Sequence, residues 1–248
     1  MSESWIAGIN PVEGALANDP ERVREVVIEQ GSRNARVKEL ADMARKAHVL
    51  VSMKPRAQLD RLGGGARHQG VLARYEAPAP LGEDVLPELA EQAGSRALFL
   101  VLDGVTDPHN LGACLRSAAA AQVTAVIVPK DRAVGVTPTV RRASAGGADR
   151  VPLVAATNLA RTLRSLKDAG VWLVGLAGET DASLYEMDLK GPIAIVMGSE
   201  GEGMRRLTRE TCDFVARIPM PGAMESLNVS VATGVALFEA VRQRGAQA

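Results

Sequence analysis

The sequence predicts an α/β fold, with a larger C-terminal part built on a parallel sheet and a smaller N-terminal α/β part. Three observations lead there. From "RALFLVLDGV" onward, short apolar runs rich in Val, Ile and Leu recur, mostly followed by Gly, Pro or a polar turn. Segments with helical spacing lie between several of these runs. Ahead of them, the Pro-, Gly- and acid-rich "APAPLGEDVLPELAEQAGS" divides the chain into two compositional zones. Continuous apolar strands alternating with helices are the pattern of a parallel sheet covered on both faces.

Each element follows in order. In the first zone, "REVVIEQ" and "HVLVSMK" read as strands. Between them, "NARVKELADMARKA" places Val37, Leu40, Ala44 and Ala47 at helical spacing. "HQGVLARYEA", after the glycine turn "LGGGAR", reads as another strand. The acid-rich stretch reads as a linker with a short helical turn. In the second zone strands are expected at "LFLVLD", "TAVIVP", "VPLVAA", "VWLVGLA", "PIAIVMG" and "DFVARIPM". Helices are expected at "LGACLRSAAAAQ", "PTVRRASAGGA" and "NLARTLRSLKDAG". The expected division is 1–77, a linker at 78–95, and 96–248. In such sheets ligands sit beyond the carboxyl ends of the strands. Here those ends read "DGVTDPHN", "GLAGET", "GSEGEGM" and "PMPGAMES".

Composition narrows the function. An apolar fraction of 46% supports a packed core, and only 3% aromatics make that core aliphatic. Lys+Arg 29 against Asp+Glu 29 leaves no net charge, so any surface that meets nucleic acid must be local. Cys114 and Cys212 form no CxxC pair, and His48, His68 and His109 follow no zinc spacing. The histidines read as surface or turn residues, no metal is expected, and a reducing compartment fits. "MSESWIAGIN" lacks the pattern of a signal peptide, and no window approaches the roughly 20 apolar residues of a membrane span. A soluble, cytoplasmic protein is expected.

Three segments carry candidate chemistry. "GSEGEGM" follows a strong strand and precedes "RRLTRETC", a plausible helix; its glycines let backbone approach a ligand, and Glu200 stands among them. It is neither a P-loop nor a dinucleotide fingerprint, and a solvated loop with a surface acid is the plain alternative. "DPHNLGACLRSA" offers Asn110, readable as a helix N-cap, and Arg116, whose apolar helix calls for an anionic partner or a site. "IPMPGAMESLNVS" crowds Glu225, Ser226, Asn228 and Ser230 ahead of what reads as a buried helix carrying Val231, Val235 and Phe238. Capping explains one of those polar residues. The small residues that follow suit close packing against another backbone.

Taken together, "NLGACLRSA", "IVMGSEGEGM" and "IPMPGAMESLNVSVATGVALFEA" resemble the three ordered motifs of the SpoU (TrmH-type) family of RNA 2′-O-ribose methyltransferases. The resemblance extends through "GINPVEGAL" and "HQGVLAR", and covers nearly the whole chain. It implies a C-terminal SPOUT domain with a trefoil knot and an N-terminal L30e-like domain that helps to hold RNA. It further implies a homodimer with the active site near the subunit interface, and S-adenosyl-L-methionine as methyl donor. The substrate it implies is a guanosine of 23S rRNA in the peptidyl-transferase P-loop.

Carried over residue by residue, the resemblance assigns cofactor contacts to Gly198, Ile218 and Leu227, and the reaction site to Asn110, Arg116, Glu200, Ser226 and Asn228. A guanidinium with a pKa above about 12 stays charged. Arg116 is therefore expected to stabilise the developing 2′-alkoxide and orient the adjacent phosphate, held by Glu200. Arg33, Arg36, Lys38, Arg45, Lys46, Arg141, Arg142 and Arg150 are candidate phosphate contacts. Three alternatives stand beside this reading. They are a tRNA methyltransferase of the same family, a non-catalytic RNA-binding assembly factor, and a conventional Rossmann methyltransferase, for which "LDGVTDPHN" is a poor glycine-rich turn.

Overall fold

The structure is a computed structural model that describes residues 3–76, 80–131, 136–222, 224 and 226–245. Along the chain the elements are β1 (Glu3–Ala7), α1 (Ile9–Asn18), β2 (Val23–Glu29), α2 (Ala35–Lys46), β3 (Leu50–Lys54), α3 (Arg56–Leu62) and β4 (Val71–Glu76). There follow β5 (Leu81–Gly82), α4 (Leu86–Ala93), β6 (Leu98–Asp103), α5 (Pro108–Ala120), β7 (Ala125–Pro129), α6 (Pro138–Ser144), β8 (Leu153–Ala156) and α7 (Leu159–Asp168). The chain closes with β9 (Trp172–Leu176), β10 (Ile193–Gly198), α8 (Arg206–Thr211), β11 (Phe214–Ala216) and α9 (Val229–Gln243). Two compact units result. One joins the chain through β4 with Val136–Arg142; the other holds the rest. The boundary expected at 77 falls outside the described residues.

The first unit is a four-stranded sheet in the order β1-β4-β2-β3. β4 runs antiparallel to β1 and β2, while β2 and β3 are parallel. Asn34 caps α2 by accepting from Arg36 N at 3.0 Å, and the helix buries Val37, Leu40, Ala41 and Ala44 against Val26, Ile28 and Val71. His68 opens the turn before β4, as one of the two expected placements, and is buried there. Gly70 N donates to its Nδ1 at 3.0 Å, so its Nε2 carries the proton and donates to Asp60 Oδ1 at 2.9 Å. Arg141 corrects an expectation. It is buried with its guanidinium 4.1 Å from the centre of the Tyr75 ring, an inward cation–π contact instead of an outward phosphate contact.

The second unit is a seven-stranded, fully parallel sheet in the order β11-β9-β10-β6-β7-β8-β5. β6 and β7 are buried along their whole length, which is why they read as unbroken apolar runs. On one face α4 and α7 pack Leu86, Leu163 and Leu166 on Phe99, Val101, Ile127 and Val196. Residues 80–95, expected as linker, thus belong to the second unit. β5 pairs with β8, and Leu86 and Ala90 are buried in the core, an amphipathic pattern that the surrounding Pro, Gly and acids obscure.

The chain order reverses between β6 and β10. β7 and β8 follow β6 in one direction, and β9 and β11 lie on the other side. The carboxyl ends of β6 and β10 therefore form the switch point where a parallel sheet opens a crevice. From the edge strand β11 the chain returns to this point, and α9 packs on α5. Small residues permit the close helix pair: Gly234 faces Ser117, and Cys114 Sγ donates to Thr233 Oγ1 at 3.5 Å. α9 is not buried all round as expected: Val231 and Phe238 are 52% and 49% exposed.

Candidate active site

Three loops meet at the switch point. The first follows β6 and leads into α5. Asp107 caps that helix, accepting from His109 N at 2.9 Å, with Pro108 at the first helical position. Asn110 is thus not the N-cap. It lies in the first turn, and its side chain is free to reach outward.

The second loop leaves β10 at Gly198 and folds back at once. Ser199 N donates to Gly203 O at 3.0 Å and Gly203 N to Ser199 O at 3.1 Å, with Gly201 and Gly203 at φ of +87° and +69°. A Cβ on Gly198 would lie 2.1 Å from Gly203 C and 2.2 Å from Met204 N, so only glycine fits beneath the hairpin. Glu200 stands at its tip. The hairpin is anchored by Asp103, the register partner of Gly198, whose carboxylate accepts from Arg205 N at 3.0 Å and Arg205 Nε at 2.6 Å. Neither Asp103 nor Arg205 was singled out in the sequence. The available signal was an acid closing the otherwise apolar strand "LFLVLD".

The third loop leads into α9, which Asn228 caps by accepting from Ser230 N at 3.0 Å and Ser230 Oγ at 2.6 Å. With its Nδ2 the same side chain donates to Glu200 Oε1 at 2.6 Å and Asn110 Oδ1 at 3.0 Å. Asn110 Nδ2 donates to Glu200 Oε1 at 3.1 Å, and Val229 N reaches the same oxygen at 3.3 Å. One carboxylate oxygen thus gathers the first turn of α5 and the start of α9, where negative charge is favoured by the helix dipole. Asn110, Glu200 and Asn228 are brought together, one from each motif.

Other candidates are placed differently. Arg116 is exposed on α5 and, among the described residues, has no hydrogen bond or ion pair. The expected hold by Glu200 is not formed, because that carboxylate serves Asn110, Asn228 and Val229 N. A Cβ on Gly147 would sit 2.8 Å from Arg116 Cα, so the turn Gly147–Asp149 lies directly on this part of α5. Ser226 is exposed and Glu225 lies outside the described residues. Gly198 ends β10, while Ile218 and Leu227 flank the loop between β11 and α9. Among the described residues, no hydrogen bond engages the main chain of Ile218 or Leu227.

Cys114 lies beneath the site. Burial pushes its thiol up to about 11, with the Glu200 charge adding to the rise and the Thr233 hydrogen bond opposing it. A thiol so shifted is no nucleophile near neutral pH. Among the described residues no three His, Cys, Asp or Glu side chains form a metal-binding group, and no helix is long and apolar enough to cross a membrane. Of the candidate RNA contacts, Arg36 is bonded to Asn10 and Glu13 and Arg45 to Asp42, whereas Arg33, Lys38, Lys46, Arg142 and Arg150 are exposed.

Residues 97–238 match the SpoU rRNA Methylase family, and residues 5–81 match the RNA 2′-O ribose methyltransferase substrate-binding family. The chain is 60% identical over 240 residues to a 23S rRNA (guanosine-2′-O-)-methyltransferase RlmB of Xanthomonas campestris, covering 97% of this chain and 96% of that one. To the RlmB of Pseudomonas aeruginosa it is 52% identical, covering 96% of each chain. Among solved structures it resembles the SpoU methyltransferase AviRb of Streptomyces viridochromogenes in complex with AdoMet. There the TM-score is 0.79 and the identity 27%, over 98% of this chain and 90% of that one.

Proposed function

The chain belongs to the SpoU rRNA methylase family, and from that membership we propose that it transfers a methyl group from S-adenosylmethionine to the ribose 2′-hydroxyl of a guanosine in 23S rRNA. The observation that carries this reading is 60% identity, across nearly the full length of both chains, to an enzyme named for that reaction. The finer target is the peptidyl-transferase P-loop, modified during ribosome biogenesis in the cytoplasm. The N-terminal unit, which matches a substrate-binding family, holds the RNA.

The cofactor fits the residues present. Ile218 and Leu227 offer main-chain donors and acceptors without partners among the described residues, beside apolar side chains, as an adenosine requires. Gly198, the third residue assigned to the cofactor, ends β10 beneath the glycine hairpin. The bound cofactor supplies an activated sulfonium methyl. The protein's task is then to place the ribose oxygen in line with it and lower the cost of its charge. Asn110, Glu200 and Asn228 form a rigid polar frame, and Ser226 lies on the same loop as Leu227. Arg116, always charged, stabilises the developing alkoxide and orients the neighbouring phosphate. The hydroxyl proton leaves through water or phosphate.

A homodimer completes the reading. Val231 and Phe238, seven residues apart on α9, leave an apolar face that suits a second copy. Incubation of the protein with labelled S-adenosylmethionine and unmodified 23S rRNA, followed by mapping of the modified nucleotide, tests the function. A single 2′-O-methylguanosine in the P-loop is expected. Transfer to tRNA alone overturns the target, and cofactor binding without transfer to any RNA supports an assembly factor instead.

A further inference from the structure

We propose that Arg205 is a preset clamp for a phosphate of the RNA strand that enters the site; this rests on the RNA methyltransferase reading above. Arg205 is fixed from within. Asp103, whose side chain is fully buried, takes its main-chain N–H and its Nε, at 3.0 and 2.6 Å. Among the described residues Nη1 and Nη2 have no partner, and the side chain is 46% exposed. A guanidinium already oriented on one edge presents its other edge as a rigid two-donor fork. It loses little side-chain freedom when an oxyanion docks.

Arg205 is among the residues lining a cleft of about 590 Å³ beyond the carboxyl ends of β7 and β8, with Pro129, Asp131, Asn158, Arg206 and Leu207. The volume suits a group the size of a nucleotide. The amino end of α7 contributes little anion affinity, because Asn158 caps it and the Glu83 carboxylate already stands beside it. Glu83 accepts from Thr157 N at 2.8 Å, and Asn158 accepts from Arg161 N at 3.1 Å. Arg206 is the second available cation. Its partner Glu210 is one helical turn away, and such an exposed pair exchanges partners at little cost. Among the described residues Asp131 is the one acid on the lining, beside two guanidinium groups.

The place in the fold is as telling as the charge. β7 neighbours β6, and Asp103 ends β6 shortly before Asn110. The fork thus stands on the same rim of the sheet as the Asn110–Glu200–Asn228 cluster. A ribose offered to that cluster carries a phosphate on either side. One of them held at Arg205 sets the strand's register without reading its sequence, the usual division of labour in nucleic-acid recognition.

The test uses Arg205→Lys, which keeps a cation able to reach Asp103 but removes the outer fork. Its affinity for unmodified 23S rRNA is measured against salt, beside its affinity for S-adenosylmethionine. Expected are an RNA Kd raised about tenfold, a log Kd against log salt slope smaller by about 0.7–0.9, and a cofactor Kd within about twofold of wild type. Unchanged RNA affinity and slope in the folded variant overturn the proposal. So does a loss confined to the cofactor, which would make Arg205 a support for the Gly198 hairpin. Should Arg205→Lys fail to fold, Arg206→Glu, at the exposed start of α8, reverses charge on the same lining. It is expected to weaken RNA binding, and no change there counts against the clamp. RNA binding with this dependence but no methyl transfer by wild type leaves the clamp standing and removes the methyltransferase reading. Transfer by wild type with an indifferent Arg205→Lys does the reverse.

Discussion

Asn228 Nδ2 lies 2.6 Å from Glu200 Oε1, joining the start of the last helix to the tip of the glycine hairpin. The contact couples two roles in one side chain. With its oxygen Asn228 caps α9, and with its nitrogen it fixes the carboxylate that also holds Asn110. Hairpin, cap and α5 are therefore mechanically one object, although they come from three distant stretches of chain.

Removing the carboxylate should separate them. Glu200→Ala leaves Val229 N without its acceptor and takes the shared carboxylate from both asparagines, which keep only their bond to each other and the Asn228 cap. A stability loss of about 1–3 kcal/mol is expected from one capping interaction and a charged hydrogen bond. The fall in kcat/KM should be larger, on the order of a hundredfold, because positioning is lost as well. Glu200→Gln, which keeps an acceptor without the charge, should fall between. Thermal unfolding together with steady-state methyl transfer checks both.

Arg116 has no partner to lose among the described residues, so its substitution should leave stability nearly unchanged. Arg116→Lys keeps the charge and discards the planar fork. With RNA and cofactor saturating, kcat should drop by at least about tenfold, while the cofactor Kd stays constant. A near-wild-type kcat would exclude a role for guanidinium geometry.

At Gly198 the expectation is steric. The Cβ of Gly198→Ala would meet backbone atoms of Gly203 and Met204 at 2.1 and 2.2 Å, and backbone cannot swing aside as a flexible side chain can. The hairpin must lift, carrying Glu200 with it. Cofactor affinity measured calorimetrically should weaken at least about tenfold in a chain that still folds, a large effect for one methyl group by the standards of positioning.

Glu239 gives a test in pH. It accepts from Arg242 Nε and Nη2 and from Gln243 Nε2, each at 2.8 Å, and these bonds, Arg242 first, hold its carboxyl down to about 2. A depressed folded pKa adds stability above the unfolded value of 4.5, and that stability is lost as pH falls from there towards 2. The Tm difference between wild type and Glu239→Gln should therefore be constant above the carboxylate range and shrink on acidification through it. A difference independent of pH would show that the ion pair contributes nothing.

The legible part of this fold was the part that obeys a simple period. β6, β7 and β10 are buried on both faces and read as apolar runs; α2 and α7 show a one-sided apolar stripe. β1, α1 and β5 were not read as elements, because short segments beside Gly and Pro carry too little pattern. α4 was taken for linker for the same reason. Arg141 looked like a surface cation because sequence shows charge but not the Tyr75 ring across from it. In the site, Glu200 and Asn228 were visible as polar residues out of keeping with their surroundings. The Asp103–Arg205 pair was not, since its partners lie 102 residues apart. Nor could spacing show that Glu200 serves Asn228 rather than Arg116.

The most direct test of the site as a whole is a crystal structure with S-adenosylhomocysteine bound. The adenosine is expected against the main chain of Ile218 and Leu227, with the sulfur turned toward Asn110, Glu200 and Asn228 and an Arg116, from the same subunit or its partner, facing it. The product bound elsewhere, or Arg116 of both subunits remote from its sulfur, would contradict the proposed chemistry outright.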